Sequence, residues 1–178
     1  MRPDISFREL EREEIHRFGE IDRTETIDGI YYQQGADCVM VAEHHDVPKW
    51  SDAFKQKKIS RLLEVYDSGA SVFGAFDSDV LVGLAMLDHQ PVESGDKRLN
   101  LEGLWVSHSY RNQGIGKVLF RMAARESQTR GAHALYVSAT PSENTVRFYR
   151  RLRCRPADPI DTILFEKEPD DIHFELVL

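Results

Sequence analysis

The stretch LEGLWVSHSYRNQGIGKVLFRMAARES, residues 101–127, decides the fold. It opens on an apolar run that carries one carboxylate, Glu102, and reads as a strand over Leu99–Val106. A polar turn leads into Gly114-Ile115-Gly116-Lys117. The segment beyond it repeats Ile115, Val118, Leu119, Met122 and Ala123 at helical spacing, which predicts a helix from Gly114 to about Arg130, ended by Gly131. A strand that enters a helix through glycines leaves backbone N–H groups free around one small concavity. With the helix dipole behind them, those donors suit an anion such as a pyrophosphate. Gly114 and Gly116 would let a phosphate approach the backbone closely, and Arg111 and Lys117 would add positive charge at the rim.

Three phosphate-binding patterns compete for this turn. A P-loop requires Gly at Arg111 and Ser or Thr at Val118, and a dinucleotide fingerprint requires Gly at Leu119, so both fail. The third, R/Q-x-x-G-x-G/A, fits Arg111-Asn112-Gln113-Gly114-Ile115-Gly116 at every position. It is the coenzyme A pyrophosphate loop of the GNAT N-acetyltransferases. The chain resembles that superfamily from Ser71 to its carboxyl end, through "LEGLWV", "LYVSAT" and "RFYRRLRC". Within it, "LEGLWVSHSYRNQGIG" and "LFEKEPDDIHFELVL" look loosely like streptothricin-type acetyltransferases.

The resemblance implies an α/β fold, a mixed and mostly antiparallel sheet splayed in the middle and flanked by helices. It implies acetyl-CoA as cosubstrate and transfer of its acetyl group to a primary amine, by direct attack in a ternary complex. The cosubstrate would be held by the backbone of Leu104, Trp105 and Val106, where a β-bulge is expected at Val106. It would also be held by the turn residues Arg111, Asn112, Gln113, Gly114, Ile115, Gly116 and Lys117. Glu102 becomes a general base, direct or through water, or a group that binds a cationic acceptor; a solvated carboxylate is the plain alternative. On its strand Glu102 is expected to share a face with Asn100 and Leu104, and a setting of apolar neighbours would raise its pKa. Tyr149 becomes the general acid toward the departing thiolate, with a core aromatic as the alternative. The family's usual Asn seven residues before that Tyr is Ser142 here, with Asn144 two places on, so either is a candidate for the pantetheine arm. The usual Gly-Phe after the helix is Arg153-Cys154.

The rest of the chain reads as one mixed domain, residues 1–178, without repeats or linkers. A strand over Ile5–Leu10 runs into a helix over Glu11–Phe18. Strands Gly29–Gln33 and Asp37–His44 flank the turn Gln34-Gly35. A helix follows, capped by Ser51 or Asp52 and ended by Gly69, and then a hairpin around Asp77-Ser78-Asp79. "ALYVSAT" is a strand, Ser142–Leu152 a helix, and "TILFEK" and "IHFELVL" two closing strands. Residues 20–66 and the 88–98 loop are expected to form the acceptor pocket; for Trp50, Tyr31 and Tyr32, ordinary packing is the stronger expectation.

A formal charge of -7 argues against a nucleic-acid partner, because phosphate binding needs a basic face. No apolar run approaches the ~20 residues needed to span a bilayer, and the amino terminus lacks an apolar signal core, so a cytoplasmic protein without a membrane partner is expected. Cys38 and Cys154 read as reduced thiols. His44 and His45 are adjacent on a strand and point to opposite faces, so no metal is expected there. His108 reads as structural or solvated. The partner expected is a small-molecule amine, and a homodimer is left open. Two alternatives stand beside this: a catalytically silent acyl-CoA-binding sensor, and an enzyme acylating a protein N-terminus or lysine.

Overall fold

A computed structural model describes residues 4–34, 37–92 and 97–178. Seven strands form one sheet: β1 (Ile5–Glu9), β4 (Ser71–Asp77), β5 (Val80–Pro91), β6 (Arg98–Val106), β7 (Ala134–Ala139), β8 (Arg155–Pro156) and β9 (Ile172–Val177). Their order across the sheet is β1-β4-β5-β6-β7-β9-β8. Every pairing is antiparallel except β6 with β7, which is parallel and spans only Arg98–Asn100 against Ala134–Tyr136. Beyond Asn100 the two strands part, and the edge of β6 facing β7 is left open. The expected splay is therefore present, and it begins next to Glu102. Strands β2 (Glu25–Gln34) and β3 (Asp37–Val47) form a separate ribbon, longer than the two runs expected. Gly35 of its turn lies outside the described residues.

Two apolar layers sandwich the sheet. On one face α2 (Ile115–Thr129) and α3 (Glu143–Arg151) bury Ile115, Leu119, Phe120, Ala123, Val146 and Tyr149 against Val82, Ala85, Leu135 and Val137. On the other face α1 (Asp52–Asp67) and a 3-10 helix, Arg12–Glu20, bury Ile15, Phe18, Leu62 and Val65 against Val72, Leu81, Leu84 and Met86. Each fully buried Leu or Phe contributes roughly 1.5–3 kcal/mol, so these stripes rather than helix propensity hold the helices down. Ser51 caps α1 by accepting from the Phe54 N–H, and the amino end of the 3-10 helix is closed by the reciprocal pair Glu11 and Glu14.

One expected strand is a helix. Residues Thr162–Lys167 form α4, with Asp161 Oδ1 accepting from the Leu164 N–H at 2.9 Å. The β-branched pair Thr162-Ile163 and the alternation of Ile163 with Phe165 imitate a strand, but both of those apolar side chains are exposed. Leu164 alone turns inward, against Val92, Tyr136 and Ala157. The Asp161 cap and the inward Leu164 outweigh β-propensity here. None of the described helices is long and apolar enough to cross a membrane.

Candidate active site

The bulge on β6 lies at Glu102, not at Val106. Gly103 to Val106 pair in continuous register with Met86 to Gly83, and the register slips between Leu101–Leu87 and Gly103–Met86. One extra residue in a strand exchanges the faces of everything beyond it. Leu99 and Leu101 therefore join the α2 layer before the bulge, while Leu104 and Val106 join it after. Trp105 points to the α1 layer, edge-on to Phe18 at 5.0 Å, and its ring lies where a Cβ on Gly103 would stand. So Glu102 shares its setting with Asn100, as expected, but not with Leu104.

The surroundings of Glu102 also differ from those expected. Its side chain is 5% exposed, and Oε1 stands 3.5 Å from Arg61 Nε and 3.6 Å from Lys167 Nζ. Asn100 Nδ2 donates to Oε2 at 3.4 Å. The neighbours are cations, not apolar groups. They line a cavity of about 140 Å³ where β6 and β7 diverge, closed by α1 on one side and by α4 on the other. Lys58, Arg61, Asn100, Glu102, Lys167 and Glu168 supply its charged and polar lining. Burial lowers the Lys58 ammonium below the usual lysine range, against the pull of Glu102 and Glu168. Ser138, also on the cavity wall, donates to Asp171 Oδ2 at 3.0 Å. Burial, with a hydrogen bond to Glu168 second, pushes the Asp171 carboxyl up to about 7.

The glycine turn has the geometry that its sequence implies at one glycine and a different use at the other. Gly114 is left-handed, φ 89°, and a Cβ there would meet no atom within 4 Å. Asn112 is left-handed too, φ 60°, and Gln113 Nε2 donates to the Ser109 carbonyl at 3.0 Å. No side chain caps α2, so its first N–H groups face the turn without a side-chain acceptor. This is the arrangement that a phosphate fits. Gly116 instead faces its own protein: a Cβ there would lie 3.3 Å from the Phe148 ring. Its missing side chain lets α2 and α3 meet.

Arg111 is not a free rim cation. Nε donates to the Val106 carbonyl at 3.0 Å and Nη2 to the Arg23 carbonyl at 3.1 Å, while Nη1 pairs with Glu25 Oε2 at 3.1 Å. Its work is to tie the end of β6 to the start of β2. Lys117 is exposed and makes no ion pair with any described residue.

On α3, Ser142 is buried and its hydroxyl caps the helix, accepting from Thr145 N–H at 3.3 Å and donating to Thr145 Oγ1 at 2.9 Å. Asn144 is exposed and donates to Glu25 Oε1 at 3.0 Å. Tyr149 is 6% exposed, packed among Phe120, Phe148 and Phe174, and its hydroxyl makes no hydrogen bond within the described residues. Burial raises its phenol well above the usual tyrosine range, so it holds its proton. Glu102 meets Arg61 of α1 on one side of the sheet, and Tyr149 belongs to the α2–α3 layer on the other.

The other side chains considered stand outside the cavity. Trp50 stacks on Phe18 at 4.5 Å, Tyr31 lies under Arg150, and exposed Tyr32 donates to Glu43. His108 Nδ1 bonds the Thr24 carbonyl. His44 pairs with Asp28 and Asp46 while His45 pairs with Glu43, and no described group of three His, Cys, Asp or Glu is placed to hold a metal ion. Both cysteines are free thiols. Lys58, Arg61 and Lys167 were not singled out by sequence. The first two sit in an ordinary polar helix face, and Lys167 in the segment that reads as a strand. Of the pocket segments expected, 20–66 supplies Lys58 and Arg61, residues 93–96 of the loop lie outside the described residues, and α4 completes the wall.

No curated protein matches the sequence. Solved structures do match in fold. The chain superimposes on nourseothricin acetyltransferase with a TM-score of 0.72 at 17% identity, covering 97% of this chain and 98% of that one. A protein of Bacillus anthracis, strain Ames, described as a streptothricin acetyltransferase and solved with acetyl coenzyme A, gives 0.65 at 16% identity, covering 98% of both chains. The PaiA N-acetyltransferase from Thermoplasma acidophilum, solved with coenzyme A, gives 0.63 at 16% identity, covering 98% and 99%. The family model described as the acetyltransferase (GNAT) family matches residues 29–153, the part that holds the turn, Glu102 and Tyr149. The chain belongs to the GNAT acetyltransferase family.

Proposed function

We propose that this acetyltransferase moves the acetyl group of acetyl-CoA to the primary amine of a small molecule, by direct attack with both substrates bound. The observation that carries this is the gap between β6 and β7. It has an uncapped glycine turn on one sheet face, and on the other a cavity with a buried carboxylate set between two cations. The turn from Asn112 to Lys117 and the first N–H groups of α2 hold the pyrophosphate. The open edge of β6, from Leu104 to Val106, offers backbone donors to the thioester oxygen; losing such a donor costs ~10²–10³ in rate. When bound, acetyl-CoA supplies an acyl thioester carbon that an amine attacks.

An alkylammonium gives up two protons in becoming an amide. Glu102 accepts the first, which frees the nitrogen lone pair, and passes it to solvent. The nitrogen–carbon bond then forms as the carbon–sulfur bond breaks, and Tyr149 gives its phenol proton to the sulfur. The tyrosine regains a proton from the attacking nitrogen or from water. With Glu102 on the α1 side of the sheet and Tyr149 on the α2 side, the amine enters from one face while the thiol leaves on the other. Proximity of the two substrates supplies much of the acceleration. Release of free thiol from acetyl-CoA in the presence of an amine panel tests this. Amine-dependent release is expected; coenzyme A binding without turnover of any amine supports a silent sensor.

A further inference from the structure

The cavity beside Glu102 carries more positive than negative charge. Three cations, Lys58, Arg61 and Lys167, line it with two carboxylates, Glu102 and Glu168. A polyamine would bring its charges against a lining whose cations already outnumber its carboxylates, and like charges repel there even though Arg61 and Lys167 are about half exposed. The protein as a whole is acidic, so the cations are a local feature of the site. They are also held in place. Lys58 Nζ lies 5.0 Å over the Trp105 ring, and Arg61 and Lys167 both reach the same oxygen of Glu102. Asn100 is 7% exposed, lines the cavity, and its buried Oδ1 has no hydrogen-bond partner among the described residues.

We propose that the acceptor is a small amine that also bears an anion, a carboxylate or a phosphate. Its anionic group sits among Lys58, Arg61 and Lys167, and its ammonium meets Glu102 and Asn100. This rests on the acetyltransferase function proposed above and names the acceptor class for it. Binding such a molecule gives the three cations a second anionic partner, which releases Glu102 from full neutralisation and frees it to take the ammonium proton. A cationic acceptor offers no such exchange. The cavity volume, about 140 Å³, lies below the ~300–1,000 Å³ of sites that hold drug-sized ligands, which also favours a small molecule.

Thiol release from acetyl-CoA, measured on matched amines, tests the proposal. The carboxylate arm pairs L-lysine with cadaverine, and each of the common L-amino acids with its amide. The phosphate arm pairs O-phosphoethanolamine with ethanolamine. Spermidine serves as the polycation. The anionic member of at least one pair should exceed its partner in kcat/KM by about 10-fold or more, the scale of one charge-assisted contact. The arm that responds identifies the anion. In Lys58→Met and Lys167→Gln that preference should shrink toward unity, chiefly through KM of the anionic amine, in proteins whose melting temperature still responds to coenzyme A. Absence of that preference in every pair, or use of spermidine equal to or better than that of the best anionic amine, overturns the proposal. So does turnover of no amine by a protein that binds coenzyme A. Failure to bind coenzyme A at all removes instead the acetyltransferase function on which the proposal rests.

Discussion

Arg111 Nη1 lies 3.1 Å from the Glu25 carboxylate, and the other oxygen of that carboxylate accepts from Asn144. The arginine of the phosphate-loop motif is therefore committed to the protein's own frame before any ligand arrives. Arg111→Ala should lower stability by about 1–3 kcal/mol, because it leaves the Val106 and Arg23 carbonyls short of a donor and Glu25 short of a cation. Lys117→Glu should leave the melting temperature nearly unchanged and weaken coenzyme A binding by about tenfold, since it reverses an exposed charge at the mouth of the turn. Denaturant unfolding and calorimetric titration of the two variants separate these effects. A stable Arg111→Ala protein with weaker binding would return the arginine to the ligand.

Gly116 and Gly114 should fail in different ways. Gly116→Asp pushes against Phe148 and is expected to destabilise by roughly 1–3 kcal/mol, so its loss of binding would not by itself locate the phosphates. Gly114→Ala puts a Cβ on a left-handed residue, at a cost of about 1–2 kcal/mol, with no clash to add. Unfolding curves for both, read beside coenzyme A affinity, check this. An unchanged Gly116→Asp stability would mean that α2 and α3 do not meet as described.

The turn was legible because its pattern is local: glycine, spacing and helix period are all read from neighbouring residues. The hairpin 71–91 and both long helices were legible for the same reason. The charge setting of Glu102 was not, because Arg61 and Lys167 come from α1 and α4, far away in the chain. The face reversal at Glu102 was hidden too, since a bulge is a property of the β5–β6 pairing rather than of the strand. Helix α4 was missed because its alternating apolar residues are solvent-facing, and its decisive cap, Asp161, stands outside the run.

Arg153 offers a test of the departure from the family's Gly. It takes φ 67° just past α3, exposed, where glycine is relaxed. Arg153→Gly should raise stability by about 0.5–1 kcal/mol, a Tm gain of roughly 1–4 °C, with no change in kcat/KM. Thermal unfolding shows it directly. A fall in Tm would mean that the arginine side chain contributes more than its backbone costs.

Glu102→Gln and Tyr149→Phe separate the two proton transfers. Each should lower kcat by ~10²–10⁴-fold while leaving acetyl-CoA affinity in place. The Glu102→Gln deficit should be greatest at low pH, where the amine arrives protonated, and should narrow as the pH rises toward that of the free amine. A rise in the acceptor's KM alone would make Glu102 a binding residue. Full activity in Tyr149→Phe would mean that sulfur takes its proton from water.

Coenzyme A held at the Gly114 turn and in the gap between β6 and β7 should stabilise the fold, and thermal unfolding of the wild-type protein with and without coenzyme A measures this. At a concentration 100-fold above its Kd the ligand stabilises the folded state by about 2.7 kcal/mol, a Tm rise of roughly 5–10 °C for a chain of this size. That rise, reproduced by acetyl-CoA and reduced in Lys117→Glu, is the result predicted. An unchanged Tm at millimolar coenzyme A would mean that the turn and the gap do not hold it.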